Sequence, residues 1–259
     1  MHIQESDLKG FTLQAVDGEL GRIRDLLFDD QHWTVRYLDV NTSKWLLGRR
    51  VLISPFSIKG VQQETDRILL SLNKQEVKDS PELADNEPIS RQYEHIFHSY
   101  FNYPGYWAGY NVWGAAEYPI AVNTTDNAVA MEEYEAQKDA IAKSHLRSMN
   151  EVAGYEIHAS DGDIGNVSDF LIDTNSWQIR YILVDTRRWL PGPSTLLSPA
   201  WIKDVSWMDK QVSVDVSKEA IKAAPKFEMP LTHDDELAIF RHYRREPYWP
   251  KTKAKAVSA

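Results

Sequence analysis

The stretch Asp17-Gly18-Glu19-Leu20-Gly21 is written a second time as Asp161-Gly162-Asp163-Ile164-Gly165, an offset of 144 positions. The match extends in both directions from there. Gly10 recurs as Gly154, Trp33 as Trp177, Arg36-Tyr37 as Arg180-Tyr181, Trp45-Leu46 as Trp189-Leu190, Gly48 as Gly192 and Ser54-Pro55 as Ser198-Pro199. No insertion or deletion interrupts the correspondence over roughly 70 residues, which marks two copies of one module. Shifting any strand by one residue would turn its core face to solvent, so apolar residues at matched spacing imply that both copies use one register.

Within the first copy, Phe11 to Val16 reads as a short strand stopped by Asp17-Gly18, where glycine reaches positive φ without a Cβ penalty. Ile23 to Phe28 and Thr34 to Asn41 follow around the loop Asp29-Asp30-Gln31-His32, with the incomplete alternation of a curved, half-buried sheet. Val51 to Ile53 and Arg67 to Ser71 complete the set, and no amphipathic helix separates them. The second copy gives Glu156 to Ala159, Ile164 to Asp173, Gln178 to Thr186, Thr195 to Leu197 and Gln211 to Val216. Many short strands without intervening helices predict a mainly β protein built of tandem small antiparallel β-barrels rather than a βαβ fold.

Short helical extensions follow each barrel. Lys74 to Ser80 and Lys218 to Ala224 end at Pro81 and Pro225, and Ile96-Phe97 with Tyr100 is matched to Ile239-Phe240 with Tyr243 after a slip of one residue. Met131 to Met149, rich in Ala, Glu, Lys and Gln, reads as a linker helix, preceded by a polar linker at Thr124 to Asn127. The expected domains are a first barrel over residues 5–80, an extension and linker over 81–148, a second barrel over 149–222, and a C-terminal extension over 223–259.

Composition narrows the chemistry. With 42% apolar and 26% charged residues the chain is that of a folded protein. A net charge of -9 argues against general nucleic-acid binding, which releases counterions onto a basic surface. The terminal run Arg241, Arg244, Arg245, Lys251, Lys253 and Lys255 reads as a charged tail. There is no cysteine, which excludes disulfides, thiolate metal sites and thiol nucleophiles. No stretch approaches the about 18 apolar residues of a membrane helix, and the N-terminus carries no signal-peptide pattern, so the cytoplasm is the expected location.

Few residues point to catalysis. Asp17, Gly18 and Gly21, like Asp161, Gly162 and Gly165, lack the alternating oxygen ligands of a calcium loop; they read as turn residues whose carboxylate accepts an N–H of its own turn. Arg36 with Asp25, and Arg180 with Asp169, occupy matched positions; a guanidinium fork suits a bound carboxylate or phosphate, but an internal ion pair explains the duplication better. His95 and His98 sit three apart on a candidate helix without a third ligand, so neither metal nor cofactor is expected. No nucleophile elbow and no phosphate-cradling loop is present, leaving a hydrolase only as an alternative.

The segment Tyr100 to Tyr118 is unusually aromatic. Tyr103, Tyr106, Trp107, Tyr110 and Trp113, with Tyr248 and Trp249 at the other end of the chain, form a candidate interface for a protein partner or a homodimer, or equally a cover over their own barrel, and packing within the chain or in a homodimer is preferred to a foreign ligand.

The repeated pattern, Gly, short strand, Asp-Gly-x-x-Gly, Asp-Phe/Leu-Leu, Trp-x-Ile/Val-Arg-Tyr, Trp-Leu and Leu-x-Ser-Pro, resembles the PRC-barrel family. Gly154, Asp161-Gly162-Asp163-Ile164-Gly165, Asp169-Phe170-Leu171, Trp177, Arg180-Tyr181, Val184-Asp185-Thr186 and Leu197-Ser198-Pro199 carry the resemblance in copy two. Copy one departs at Leu38-Asp39-Val40-Asn41. The layout resembles bacterial proteins with two such barrels, related to the barrel of the photosynthetic reaction-centre H subunit and of the ribosome maturation factor RimM. The resemblance implies a non-enzymatic module for protein association, with photosynthetic electron transport or an RNA- or ribosome-associated role as alternatives. It carries over no catalytic residue.

Overall fold

A computed structural model of the chain describes residues 1–42, 46, 49–83, 89–120, 145–186 and 194–249. Trp45, Gly48, Trp189, Leu190 and Gly192, the linker Thr124 to Asn127, the expected linker helix up to residue 144, and the tail lysines Lys251, Lys253 and Lys255 lie outside the described residues. The chain forms two compact units, Met1–Gly154 with Asp169–Ile182, and Tyr155–Ser168 with Leu183–Ala259. It is mainly β, with two sheets that do not close.

The first unit contains β1 (His2–Gln4), α1 (Glu5–Leu8), β2 (Thr12–Ala15), β3 (Gly18–Asp29), β4 (Thr34–Asn41), β5 (Val51–Ile53), β6 (Ile58–Gln62) and β7 (Arg67–Leu70). After them come α2 (Lys74–Asp79), α3 (Arg91–Phe101), β8 (Leu146–Ser148) and α4 (Met149–Val152). The sheet runs β5-β4-β3-β2-β7-β6. β2 pairs with β7 in parallel, while the neighbouring pairs along this order are antiparallel. Thr34 to Val40 are all buried rather than alternating, because this strand is covered on both faces.

Two three-residue strands escaped the sequence reading. β1 pairs with residues 171–173 through Ile3↔Ile172, and β8 pairs with β3 through Phe28↔Arg147. The lead strand of each copy thus joins the long strand of the other copy, within the first unit. Residues 146–148 were expected to be helical; the pairing edge offered by Leu27 to Asp29 outweighs their weak helix preference. A second reciprocal contact lies at the hairpin tips, where Val35 N–H donates to the Trp177 carbonyl at 2.8 Å and Ile179 N–H to the Trp33 carbonyl at 2.7 Å. Both tryptophans take the left-handed conformation, with φ of 49° and 59°.

The second unit holds β9 (Glu156–Ala159), the first part of β10 (Gly162–Asp173), the end of β11 (Ile179–Asp185), β12 (Thr195–Leu197), β13 (Ile202–Ser206) and β14 (Gln211–Val214). α5 (Lys218–Lys222) and α6 (His233–His242) follow. These strands continue the order β12-β11-β10-β9-β14-β13, again with a parallel pair, β14 on β9. From β1 to α2, every element recurs from β8 to α5 at the sequence offset, to within a residue at the ends.

Candidate functional site

The repeated turn residues are structural. Gly21 has φ of 153°, and a Cβ there would lie 2.3 Å from the Asn41 carbonyl oxygen; Gly165 has φ of 159°, with the Asp185 carbonyl oxygen at 2.1 Å. Both sit beside a register shift that lets the long strand bend. Asp17 and Asp161 do not serve their own turns. Asp17 Oδ1 accepts from Lys74 N–H at 2.9 Å and Asp161 Oδ1 from Lys218 N–H at 2.7 Å, so each turn caps a helix 57 residues later, where the first-turn N–H groups lack intrahelical acceptors.

The expected pairs Asp25 with Arg36 and Asp169 with Arg180 are corrected as well. Arg36 Nε donates to Asp29 Oδ2 at 2.6 Å, and Arg180 pairs with Asp173 at 3.5 Å. Asp25 and Asp169 instead bind the lead segments. Asp25 accepts from Ser148 Oγ at 2.5 Å and Asn150 N–H at 3.2 Å, while Asp169 accepts from Ser6 Oγ at 2.5 Å and Gln4 Nε2 at 3.3 Å. Burial pushes the Asp25 carboxyl up, opposed by the Ser148 hydroxyl. Asp29 and Asp173 are at matched positions seven residues before their arginines, a signal the sequence contained and the reading passed over.

Much of the aromatic segment turns inward. Tyr103, Tyr106 and Trp113 are 7%, 5% and 1% exposed, which removes them from the candidate interface; Trp107 is half-buried, and Tyr110 is fully exposed. Ser90 caps α3, whose buried face carries Arg91, Glu94, Phe97 and His98. Tyr106 and Trp113 close over the guanidinium of Arg36, which is 0% exposed, with Cζ at 4.0 Å and 4.6 Å from their ring centroids. A desolvated contact of this kind is worth about 2 kcal/mol. Trp113 Nε1 donates to the Ser176 carbonyl at 2.7 Å.

Beneath these rings Glu94 gathers Tyr106 and Arg91. Tyr106 Oη donates to Glu94 Oε1 at 2.5 Å, and Arg91 Nη1 lies 3.0 Å from Glu94 Oε2 and donates to Tyr106 Oη at 3.0 Å. Burial pushes the Glu94 carboxyl up, opposed by the Arg91 charge. Burial, then the Glu94 charge, drives the Tyr37 and Tyr106 hydroxyls well above their ordinary range. His98 lies 2.9 Å from the Pro104 carbonyl oxygen through Nδ1 and 3.0 Å from Tyr37 Oη through Nε2. A carbonyl only accepts, so Pro104 assigns the proton to Nδ1 and leaves Nε2 an acceptor beside Tyr37 Oη, whose single proton also faces Glu94 Oε1 at 3.2 Å. Burial holds His98 down to about 3 and His95 down to about 4. The two histidines are packed side chains. Among the described residues no group of three or more His, Cys, Asp or Glu is placed to hold a metal.

The C-terminal extension repeats this arrangement, with a slip of two residues rather than the expected one. Thr232 caps α6 as Ser90 caps α3. Tyr248 Oη donates to buried Glu236 at 2.9 Å, matching Tyr106 and Glu94, and each tyrosine lies 12 residues after its glutamate. His233 packs on Trp249 at 4.6 Å where Arg91 packs on Trp107 at 4.9 Å. Tyr248 is partly exposed and Trp249 half-buried.

The first unit also carries a cleft of about 660 Å3, lined by Pro55, Ile58, Lys59, Gly60 and Val61 on one side, with Met1, Tyr118, Pro119, Thr174, Asn175 and Trp177 completing the wall. No histidine, serine or carboxylate lines it. Sequence reasoning missed this site because β6 itself was missed: Ile58-Lys59-Gly60-Val61-Gln62 lacks both regular alternation and β-branched density.

Residues 2–77 match the family model of the PRC-barrel domain. No curated protein matches the chain. Among the described residues no helix is long and apolar enough to cross a membrane.

Proposed function

We propose that this chain is a non-enzymatic protein-binding module, and that the cleft along β6 is its contact surface. The observation that carries the reading is the cleft wall. It combines apolar and aromatic side chains, Ile58, Val61 and Tyr118, with backbone and amide groups, and holds no histidine or carboxylate to act as a base beside the Thr174 hydroxyl. That chemistry suits recognition of a polypeptide and does not support the hydrolase alternative.

The second copy, residues 149–222, is proposed to be a further barrel of the same family, followed by its own extension; the recurrence of every strand at the repeat offset supports this. Self-association as a homodimer is a secondary proposal, for which the exposed Tyr110, Tyr118 and Ile120 provide surface. Light scattering across protein concentrations tests it, and the mass of one chain throughout would exclude it.

Affinity capture from a lysate of the source cells tests the main reading. Wild-type protein is expected to retain a specific partner that Tyr118→Asp loses and Tyr110→Asp keeps. A partner retained equally by all three would move the contact elsewhere on the chain. Substituting Trp113, by contrast, would damage the packing over Arg36 and report on folding instead.

A further inference from the structure

Resting on the reading of the cleft as a protein-binding surface, we infer that β6 accepts an extended, acidic segment of a partner protein as an additional strand. Ile58, Lys59, Gly60 and Val61 are consecutive, yet all four line the cleft. Successive side chains of a strand point to opposite faces, so four consecutive lining residues, across the register shift between Ile58 and Gly60, place the cleft along the strand's edge. β6 ends its sheet: it pairs with β7 through Gly60↔Leu69 and Val61↔Ile68, and among the described residues no strand pairs with its other edge. A backbone edge facing a cleft is matched by another extended backbone, with side-chain pockets giving selectivity.

Charge selects the occupant. Lys59 is the one charged side chain in the cleft wall, on a chain of net charge -9. The repeat shows how such a lysine is otherwise neutralised: its counterpart Lys203 pairs with Asp215 at 3.1 Å, and the residue matching Asp215 in the first copy is Ser71. Gly60, where the second copy has Asp204, keeps the edge open, since a Cβ there would meet nothing within 4 Å. The occupant therefore carries a carboxylate opposite Lys59 and apolar residues that reach Ile58, Val61 and Tyr118. A second copy of this chain fits less well: the register shift between Ile58 and Gly60, together with the Lys59 charge, opposes pairing of two identical edges.

The test titrates the full chain with a fluorescein-labelled heptapeptide, Thr-Val-Glu-Val-Asp-Val-Thr, with amide NMR shifts recorded in parallel. The peptide is expected to bind with shifts centred on residues 58–61 and Thr174. Affinity is expected to fall about fivefold or more for Lys59→Glu, and to disappear when alternate peptide amides are N-methylated. A peptide with lysine in place of both acids should bind the Lys59→Glu chain better than the wild type. Equal affinity of the acidic peptide for both chains, indifference to N-methylation, or shifts confined to other surfaces would overturn strand addition. A partner captured undiminished by Lys59→Glu but lost with Tyr118→Asp would also overturn it while leaving the protein-binding reading intact. Loss of any captured partner with all chains, alongside peptide binding as described, would overturn the broader reading alone.

Discussion

Mild acid should loosen the first unit through His98, and the size of the effect follows from its surroundings. The ring is buried between the Tyr37 hydroxyl and the Pro104 carbonyl, with the aromatic rings of Phe56, Phe97, Tyr103, Tyr106 and Trp107 around it. Charged Arg36 and Arg91 and the neighbouring His95 oppose a further positive charge. Its folded pKa of about 3 lies below the ordinary 6.5, so the unfolded chain binds the proton first. Stability is fully present above pH 6.5 and is lost as the pH falls toward 3. Between pH 7 and pH 5 the loss amounts to about 2 kcal/mol. The raised Glu94 carboxyl works in the opposite sense, gaining relative stability as it protonates, so the variant His98→Gln is needed to isolate the histidine. Glutamine keeps an amide donor for Pro104 and an acceptor for Tyr37 without titrating. Hydrogen exchange of the α3 amides, corrected for intrinsic rates, should show the wild type losing about 2 kcal/mol more protection than His98→Gln over this interval. Equal losses in the two proteins, or an imidazole titrating near pH 6.5 by NMR, would refute the reasoning.

Three matched pairs of substitutions probe the repeat. Gly21→Ala places a Cβ against the Asn41 carbonyl and should cost about 2 kcal/mol or more, with a similar cost for Gly165→Ala; unchanged melting temperatures would contradict the close approach. Arg36→Met leaves the Asp29 carboxylate buried without its cation and should cost about 3 kcal/mol, against about 1 kcal/mol for the less buried Arg180→Met, as read from urea unfolding midpoints. Tyr106→Phe removes a donor from fully buried Glu94 and should cost about 2 kcal/mol, more than Tyr248→Phe at partly exposed Tyr248; equal effects would argue against the buried network.

The sequence carried the barrel strands well where a turn residue bounded them: Thr34–Asn41, Val51–Ile53, Glu156–Ala159 and Thr195–Leu197 are found where the pattern placed them. It was silent on β1, β6 and β13 and read β8 as helix: β1 and β8 take their conformation from a partner strand distant in sequence, while β6 and β13, each paired with the next strand, lack regular alternation. The arginine partners were misassigned because more than one aspartate precedes each arginine and only the folded hairpin selects Asp29 and Asp173. The extension was misregistered because the apolar pair Ile-Phe drew the match, although Ile96 is 52% exposed and Ile239 is 2% exposed. The better guide was polar: a glutamate followed at fixed spacing by Tyr-Trp occurs in both extensions. Aromatic density marked the segment, but the Arg36 guanidinium, over which Tyr106 and Trp113 close, has no local pattern in sequence.

The most direct measurement is a site-specific photocrosslink made from matched positions of the two copies, with p-benzoylphenylalanine at Lys59 in one protein and at Lys203 in another. A partner protein crosslinked from position 59 and absent from position 203 is the predicted result, because the cleft lies in the first unit and is lined by Lys59, whereas Lys203 pairs with Asp215. Equal yields from both positions, or no adduct from position 59 while the chain still captures its partner, would contradict the assignment of the cleft along β6 as the binding surface.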